Sequence, residues 1–249
     1  MKTSVLLSAI LICFSSLSQS QPLVSKVYHP EGKGSIKNIF SGSGTLLSAH
    51  TMHSVSLRKG KSRVWQEAIT GREIFFIIKD GPVKVNLGGT VAELNRGSVI
   101  TLLPGDKLTI ENTGEATAWL YEMSYRSIEQ PDSERGKKAG GSFMMNWNDM
   151  VFKPHNRGGV RQLFDRPTAM LNRFDIHVTT LNEGFKSHDP HTHKNDEIIL
   201  MLDGNAEMQI GTDHQKANPG DVVYLSSMVL HNLTNVGKTP CLYFAIQWN

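Results

Sequence analysis

Cysteine is almost missing from this chain. Of 249 residues only Cys13 and Cys241 are cysteines. Cys13 lies in an apolar leader expected to be removed, so no intramolecular disulfide is left to brace the fold, and stability must come from elsewhere. Cys241 sits in an apolar, strand-like run and reads as a small buried residue, not a nucleophile. An excess of one charge is missing too. The formal net charge is only +3 and no block of Lys or Arg stands out, which argues against nucleic acid as the main partner. Helical periodicity is scarce, and no apolar run after the leader is long enough to cross a membrane.

The leader itself is informative. Lys2 is followed by an apolar stretch from Val5 to Leu17 and then Ser18-Gln19-Ser20. That order predicts a secretory signal peptide over residues 1–20, cut near Ser20. The apolar run is short for a membrane anchor, and bulky Ile12 before Cys13 speaks against a lipoprotein. The mature protein is expected to be periplasmic or secreted, with no membrane attachment after cleavage.

The rest of the chain is written twice. Gly34-Ser-Ile-Lys-Asn-Ile-Phe40 resembles Gly158-Gly-Val-Arg-Gln-Leu-Phe164 at an offset of 124. The same offset aligns His53 with His177 and Glu73 with Glu197. After one single-residue gap, placed behind Glu197, the offset becomes 123 and aligns Gly88 with Gly211, Gly97 with Gly220 and Asn112 with Asn235. Two copies of one domain are predicted, at 21–125 and 143–249, joined by a polar linker at 126–142. Phe174–Leu181, Glu197–Leu202, Ala206–Ile210, Val222–Leu225 and Cys241–Gln247 are short, β-branched or alternating, and bounded by turn residues. The class is all-β, with each copy a small antiparallel barrel or jelly roll.

The chemistry gathers in the second copy. His191, His193 and Glu197 are all odd-numbered, so in an extended strand they share a face. His231 completes the set from another strand. Imidazoles with a carboxylate suit a divalent ion such as Mn, Fe, Zn, Ni or Co. The repeat supplies an internal control: the first-copy equivalents are Glu67 for His191, Ile69 for His193 and Leu108 for His231, with Glu73 standing for Glu197. One metal is therefore expected, in the second copy. Met201 continues the odd-numbered face of Glu197 and is expected in the pocket wall. Tyr243 is a candidate proton or hydrogen-bond donor, weighed against a packed aromatic. Arg173 and Arg161 are candidate anion contacts, weighed against solvent-facing strand positions. His177, whose twin is His53, reads as structural, and His188 as a lid or surface histidine.

Gly184-(six)-His191-Thr-His193-(three)-Glu197-(six)-Gly204, then Pro219-Gly220-Asp221 and His231-(three)-Asn235, resembles the two cupin motifs. The resemblance covers both copies, so the chain looks like a bicupin, two tandem double-stranded β-helix barrels, the first degenerate. It implies His191, His193, Glu197 and His231 as ligands, and inward positions in the pocket wall for Met208, Tyr243 and Gln247 as well. Within bicupins the layout and Phe174-Asp-Ile-His-Val are similar to the (S)-ureidoglycine aminohydrolases, which bind manganese in the C-terminal cupin. That family has Glu, His, His and Gln where this chain has His191, His193, Glu197 and His231. Its last-strand Tyr matches Tyr243, and its substrate-binding Lys is replaced by Gln247.

Three functions compete. The first is an exported, metal-dependent enzyme acting on a small polar metabolite (a hydroxy- or oxo-acid, or a sugar-derived compound), as isomerase, hydrolase or lyase, or dioxygenase. The second is a non-catalytic metal cupin that binds a sugar or small acid. The third is a structural protein stapled by the metal. The expected partner is a small molecule, with a homodimer allowed by free strand edges.

Overall fold

A computed structural model of the chain describes residues 20–66, 68 and 71–249. The expected signal peptide, apart from Ser20, and the positions Glu67 and Ile69 lie outside the described residues. The front half forms β1 (Lys26–Tyr28), β2 (Ile36–Gly42), β3 (Leu47–Leu57), β4 (Ser62–Gln66), β5 (Glu73–Asp80), β6 (Val83–Leu87), β7 (Thr90–Leu94), β8 (Val99–Leu102), β9 (Lys107–Asn112) and β10 (Ala118–Ser127). After a short helix α1 (Ser133–Lys138) come β11 (Phe143–Met145), β12 (Lys153–His155), β13 (Gly158–Arg166), β14 (Phe174–Leu181) and β15 (Asp196–Asp203). The chain ends with β16 (Ala206–Ile210), β17 (Asp213–Ala217), β18 (Val222–Leu225), β19 (His231–Asn235) and β20 (Cys241–Trp248).

The strands make two barrels, each a large sheet closed by a small one. The front pair is β11-β8-β5-β10-β3-β2 with β4-β9-β6-β7; the rear pair is β1-β18-β15-β20-β14-β13-β12 with β17-β16-β19. The fold is therefore all-β, two tandem jelly rolls. Each half lends an edge strand to the other. β1 pairs with β18 of the rear sheet, and β11 pairs with β8, the equivalent strand of the front sheet. The polar stretch between the copies is not a free tether: Asp132 caps α1 through the Arg135 N–H.

Strand parity sorts the core into three bodies, because successive side chains face opposite ways. In β15 the odd residues Ile199 and Met201 fill the rear barrel, while Ile198, Leu200 and Leu202 face the other barrel. In β5 the parity is reversed: Ile74, Phe76 and Ile78 fill the front barrel, and Phe75 and Ile77 join the core between barrels. This corrects the alignment read from sequence. Glu197 pairs with Leu225, and its structural counterpart is Ile74, which pairs with Leu102. Glu73 corresponds instead to Asp196 and points between the barrels. The single-residue gap lies in the loop before the strand, not behind Glu197. A slip of one residue flips a side chain to the other face, so Glu73 is not the twin of the ligand.

Candidate metal centre

His191 and His193 do not share one strand with Glu197, as parity had suggested. β15 starts only at Asp196, and the two histidines lie on the loop before it. They converge on Glu197 by a different route. His191 forms an isolated antiparallel bridge with His231 at the start of β19, with N···O distances of 3.2 and 3.0 Å. His193 is held from both sides: its ring Nδ1 contacts the Asn195 carbonyl at 3.0 Å, and its own carbonyl accepts the Met228 N–H at 2.8 Å. Met228 adopts a left-handed backbone, φ 64°, a conformation that costs energy in a residue other than glycine and is often found beside functional sites. Gly204 closes the hairpin after β15 with φ 71°, where a Cβ would come within 2.7 Å of Cys241. Only glycine meets both demands.

Donor atoms of His193, Glu197 and His231 come together in the rear barrel, with the His191 ring beside them at 4.8 Å from that of His231 and 5.4 Å from that of His193. Glu197 Oε2 lies 3.2 Å from His193 Nε2 and 3.1 Å from His231 Nε2. His231 Nδ1 faces the Val229 carbonyl at 2.9 Å. A carbonyl can only accept, so the Nδ1 atoms of His193 and His231 carry their protons there. Both Nε2 atoms then present lone pairs to a carboxylate oxygen. His231 Nε2 is buried and has no hydrogen-bond partner. Lone pairs converging on a buried anion are repulsive unless a cation lies between them, and a divalent metal satisfies the set. The donors therefore fit the ion.

Burial alone would raise the Glu197 carboxyl, but contacts with His193 and His231 and a hydrogen bond from Gln247 outweigh it and hold it at about 2. The carboxylate is thus ionised and ready to ligate. Glu197 raises His193, favouring positive charge at the point where its Nε2 lone pair would otherwise face the carboxylate, whereas burial and the neighbouring imidazoles depress His191. Gln247 Nε2 donates to Glu197 Oε1 at 3.1 Å, and its own oxygen accepts from Asn195 at 3.3 Å.

A cavity of about 260 Å³ opens over the cluster. Met208, Tyr243 and Gln247 line it, as the family resemblance implies. Burial raises the Tyr243 phenol, so it is a hydrogen-bond donor at neutral pH. Met201 does not line the cavity; it is fully buried in the barrel core beneath. Arg173 is also placed elsewhere. It is on the surface, where Asp165 and Asp175 hold its guanidinium at 2.8 and 2.7 Å, so it is not a pocket contact. Arg161 stacks on Trp147 and Phe152 instead, at 4.4 and 4.6 Å. Three histidines that carried no weight in the motif do line the cavity: His155, His177 and His188.

Among the described residues, side chains fill the equivalent part of the front barrel. The counterpart of His231 is Leu108, fully buried, and Trp65 pairs with it where His191 pairs with His231. Trp65 packs edge-on against Phe76 at 5.0 Å and donates to Glu122 at 2.8 Å. Large side chains occupy the volume that the rear barrel leaves to ligand. Among the described residues, the clusters able to hold a metal are His193–Glu197–His231 and His188–His191–His231, both in the rear barrel.

Residues 177–247 match the family model of the cupin domain. A comparison with curated proteins finds no match. Solved structures share the fold across nearly the whole chain. Oxalate decarboxylase from Lactobacillus farciminis, in a formate complex, superposes with a TM-score of 0.68 at 11% identity, over 93% of this chain and 88% of its own. AerE from Microcystis aeruginosa gives 0.67 at 11%, over 89% and 99%. Protein Ylba from E. coli gives 0.65 at 13%, over 90% of each chain. Residues 177–247 thus carry a cupin domain, and the whole chain shares the two-barrel fold of these structures.

Proposed function

We propose that the rear barrel binds one divalent transition-metal ion (Mn, Fe, Zn, Ni or Co) through His191, His193, Glu197 and His231. We propose further that the protein is an exported enzyme acting on a small polar metabolite, a hydroxy- or oxo-acid or a sugar-derived compound. The observation that carries this reading is the convergence of imidazole lone pairs on a buried, ionised carboxylate beneath an open cavity. The bound ion would supply Lewis acidity to a coordinated carbonyl or carboxylate, or lower the pKa of water. Around it, Tyr243 and the imidazoles of His155 and His177 offer hydrogen bonds to the rest of the substrate.

The cavity limits the substrate. At about 260 Å³ it is smaller than a drug-sized site. No lysine or arginine is among its lining residues, so the ion must balance any substrate charge, which favours neutral or singly charged molecules. The structural neighbour solved with formate handles a molecule of this size. Reaction type stays open among isomerase, hydrolase or lyase, and dioxygenase. The test is reconstitution of metal-free protein, metal analysis, and a screen of small hydroxy- and oxo-acids for turnover. One ion per chain, lost in His193→Ala together with turnover, is expected. A fully loaded protein that converts none of the panel overturns the enzyme reading.

One observation favours a second reading. Among the described residues Glu197 is the only carboxylate lining the cavity, and as a ligand it cannot serve as general base. A binding protein for a small acid or sugar needs no such base. It would show a ligand-dependent rise in melting temperature with the ligand recovered unchanged.

A further inference from the structure

His188 precedes the motif histidines and reads from sequence as a lid or surface histidine. Its position is different. Its ring sits edge-on to His191 with centroids 4.0 Å apart and lies 5.9 Å from the His231 ring. Its Nδ1 contacts the Asp189 carbonyl at 2.9 Å. As in His193 and His231, that contact places the proton on Nδ1 and leaves the Nε2 lone pair free. One donor atom from each of His188, His191 and His231 lies within 4.8 Å of the others. Two metal–nitrogen bonds placed trans span about 4.2 Å, so all three fall within slight adjustment of one coordination sphere. His231, 3% exposed and with an unpartnered Nε2, is shared between this trio and the His193–Glu197 group.

Backbone contacts make the placement deliberate. The Ser187 N–H donates to the Leu233 carbonyl at 2.8 Å, and the His191–His231 bridge closes the same segment. Pro190 stiffens the turn between them. The loop carrying His188 is thus clamped at both ends against the strand that carries His231.

We propose that His188 is a fifth protein donor to the metal, giving four imidazoles and one carboxylate. The inference rests on the metal reading above. Four donors would leave two adjacent positions open on a six-coordinate ion; five leave one. A monodentate substrate then binds directly, whereas a chelating one must displace His188. Among the five donors His188 sits on the connecting loop farthest in sequence from β15, which suits an exchangeable ligand.

The test is proton NMR of the cobalt(II)-loaded full-length protein. Each ligating imidazole whose Nδ1–H is held by a carbonyl contributes one hyperfine-shifted, solvent-exchangeable resonance. His188→Ala and His188→Gln are each expected to lose one such resonance while the others persist. If both variants keep the wild-type set, and His193→Ala disrupts it, the metal reading stands and the fifth donor is refuted. If His193→Ala leaves the set intact, or wild type shows no shifted imidazole, both fall. The glutamine variant guards against a folding defect peculiar to alanine.

Discussion

Gln247 touches Glu197, not only the cavity, and this sets its role. Its amide donates to the carboxylate oxygen that faces away from the histidines, and Asn195 in turn holds Gln247. Groups that orient a ligand typically change metal affinity ten- to a hundredfold when removed. Gln247→Leu should therefore weaken metal binding by about tenfold with little loss of stability, read by competition with a chromophoric chelator. Unchanged affinity would show that the strand alone orients Glu197. Glu73 supports a different prediction. It lies between the barrels, accepting from Tyr125 at 2.7 Å and from the Met170 N–H at 3.2 Å. Burial outweighs those hydrogen bonds and raises its carboxyl to about 7. Folding thus favours the protonated form. That contribution is complete below the ordinary glutamate pKa and is lost as pH rises through 7, by an amount of roughly 3 kcal/mol. Urea unfolding at about pH 5 and about pH 8 should show this decline in wild type, and Glu73→Gln should flatten it. An equal decline in the variant would place the titrating group elsewhere.

Among the elements, the metal loop shows how much the sequence revealed. His191, His193, Glu197 and His231 could be picked out as candidate ligands by type and spacing, because metal ligands are of a few chemical kinds. Their geometry could not be read, because the loop before β15 is irregular and a period-two rule holds only inside strands. The same loop hid the position of the repeat's gap, and with it the true partner of Glu73. His188 was missed for a related reason. Its nearness to His191 and His231 comes from a clamp between the Ser187 and Leu233 backbones, which no side-chain pattern records. The exchanged strand β1 was also unreadable, since its three residues carry no signal of which sheet they join. It is anchored by Val27, 8% exposed, by the Val27 N–H donating to Gln215 at 2.9 Å, and by His29 against Asp221 at 2.6 Å. Deleting residues 21–29 would expose the edge of β18 and forfeit on the order of 2 kcal/mol from Val27 alone. A lower melting temperature and concentration-dependent association in light scattering are expected. A monomer melting at the wild-type temperature would show that β1 is dispensable.

At the scale of the molecule, the two barrels share a core rather than merely touching. Phe75, Tyr121 and Tyr125 from the front pack with Phe174, Phe244 and Trp248 from the rear. The polar contacts across this core are reciprocal. Front-half Thr45 donates to Asp196 from its N–H at 2.9 Å and its hydroxyl at 2.8 Å, while the rear-half Met170 N–H donates to the equivalent Glu73. Arg96 adds a bidentate clasp to Asp203, both contacts at 2.9 Å. Asp196 neighbours Glu197 in β15, so the front barrel braces the strand that carries the carboxylate ligand. The front barrel, with Trp65 filling its interior, can thus act as the buttress of the one that holds the candidate site. Expressed alone, residues 143–249 would expose the even face of β15 together with Phe174, Phe244 and Trp248, and would lose Thr45 and β1. The fragment should bind a hydrophobic dye, lack a cooperative melt and hold metal at least about tenfold more weakly than the full chain. The full chain should unfold in one transition, because neither barrel can open without exposing the common core. A rear fragment that melts cooperatively and binds metal as tightly as the whole would mean that the rear barrel is self-sufficient, and that the front copy is kept for some purpose other than support.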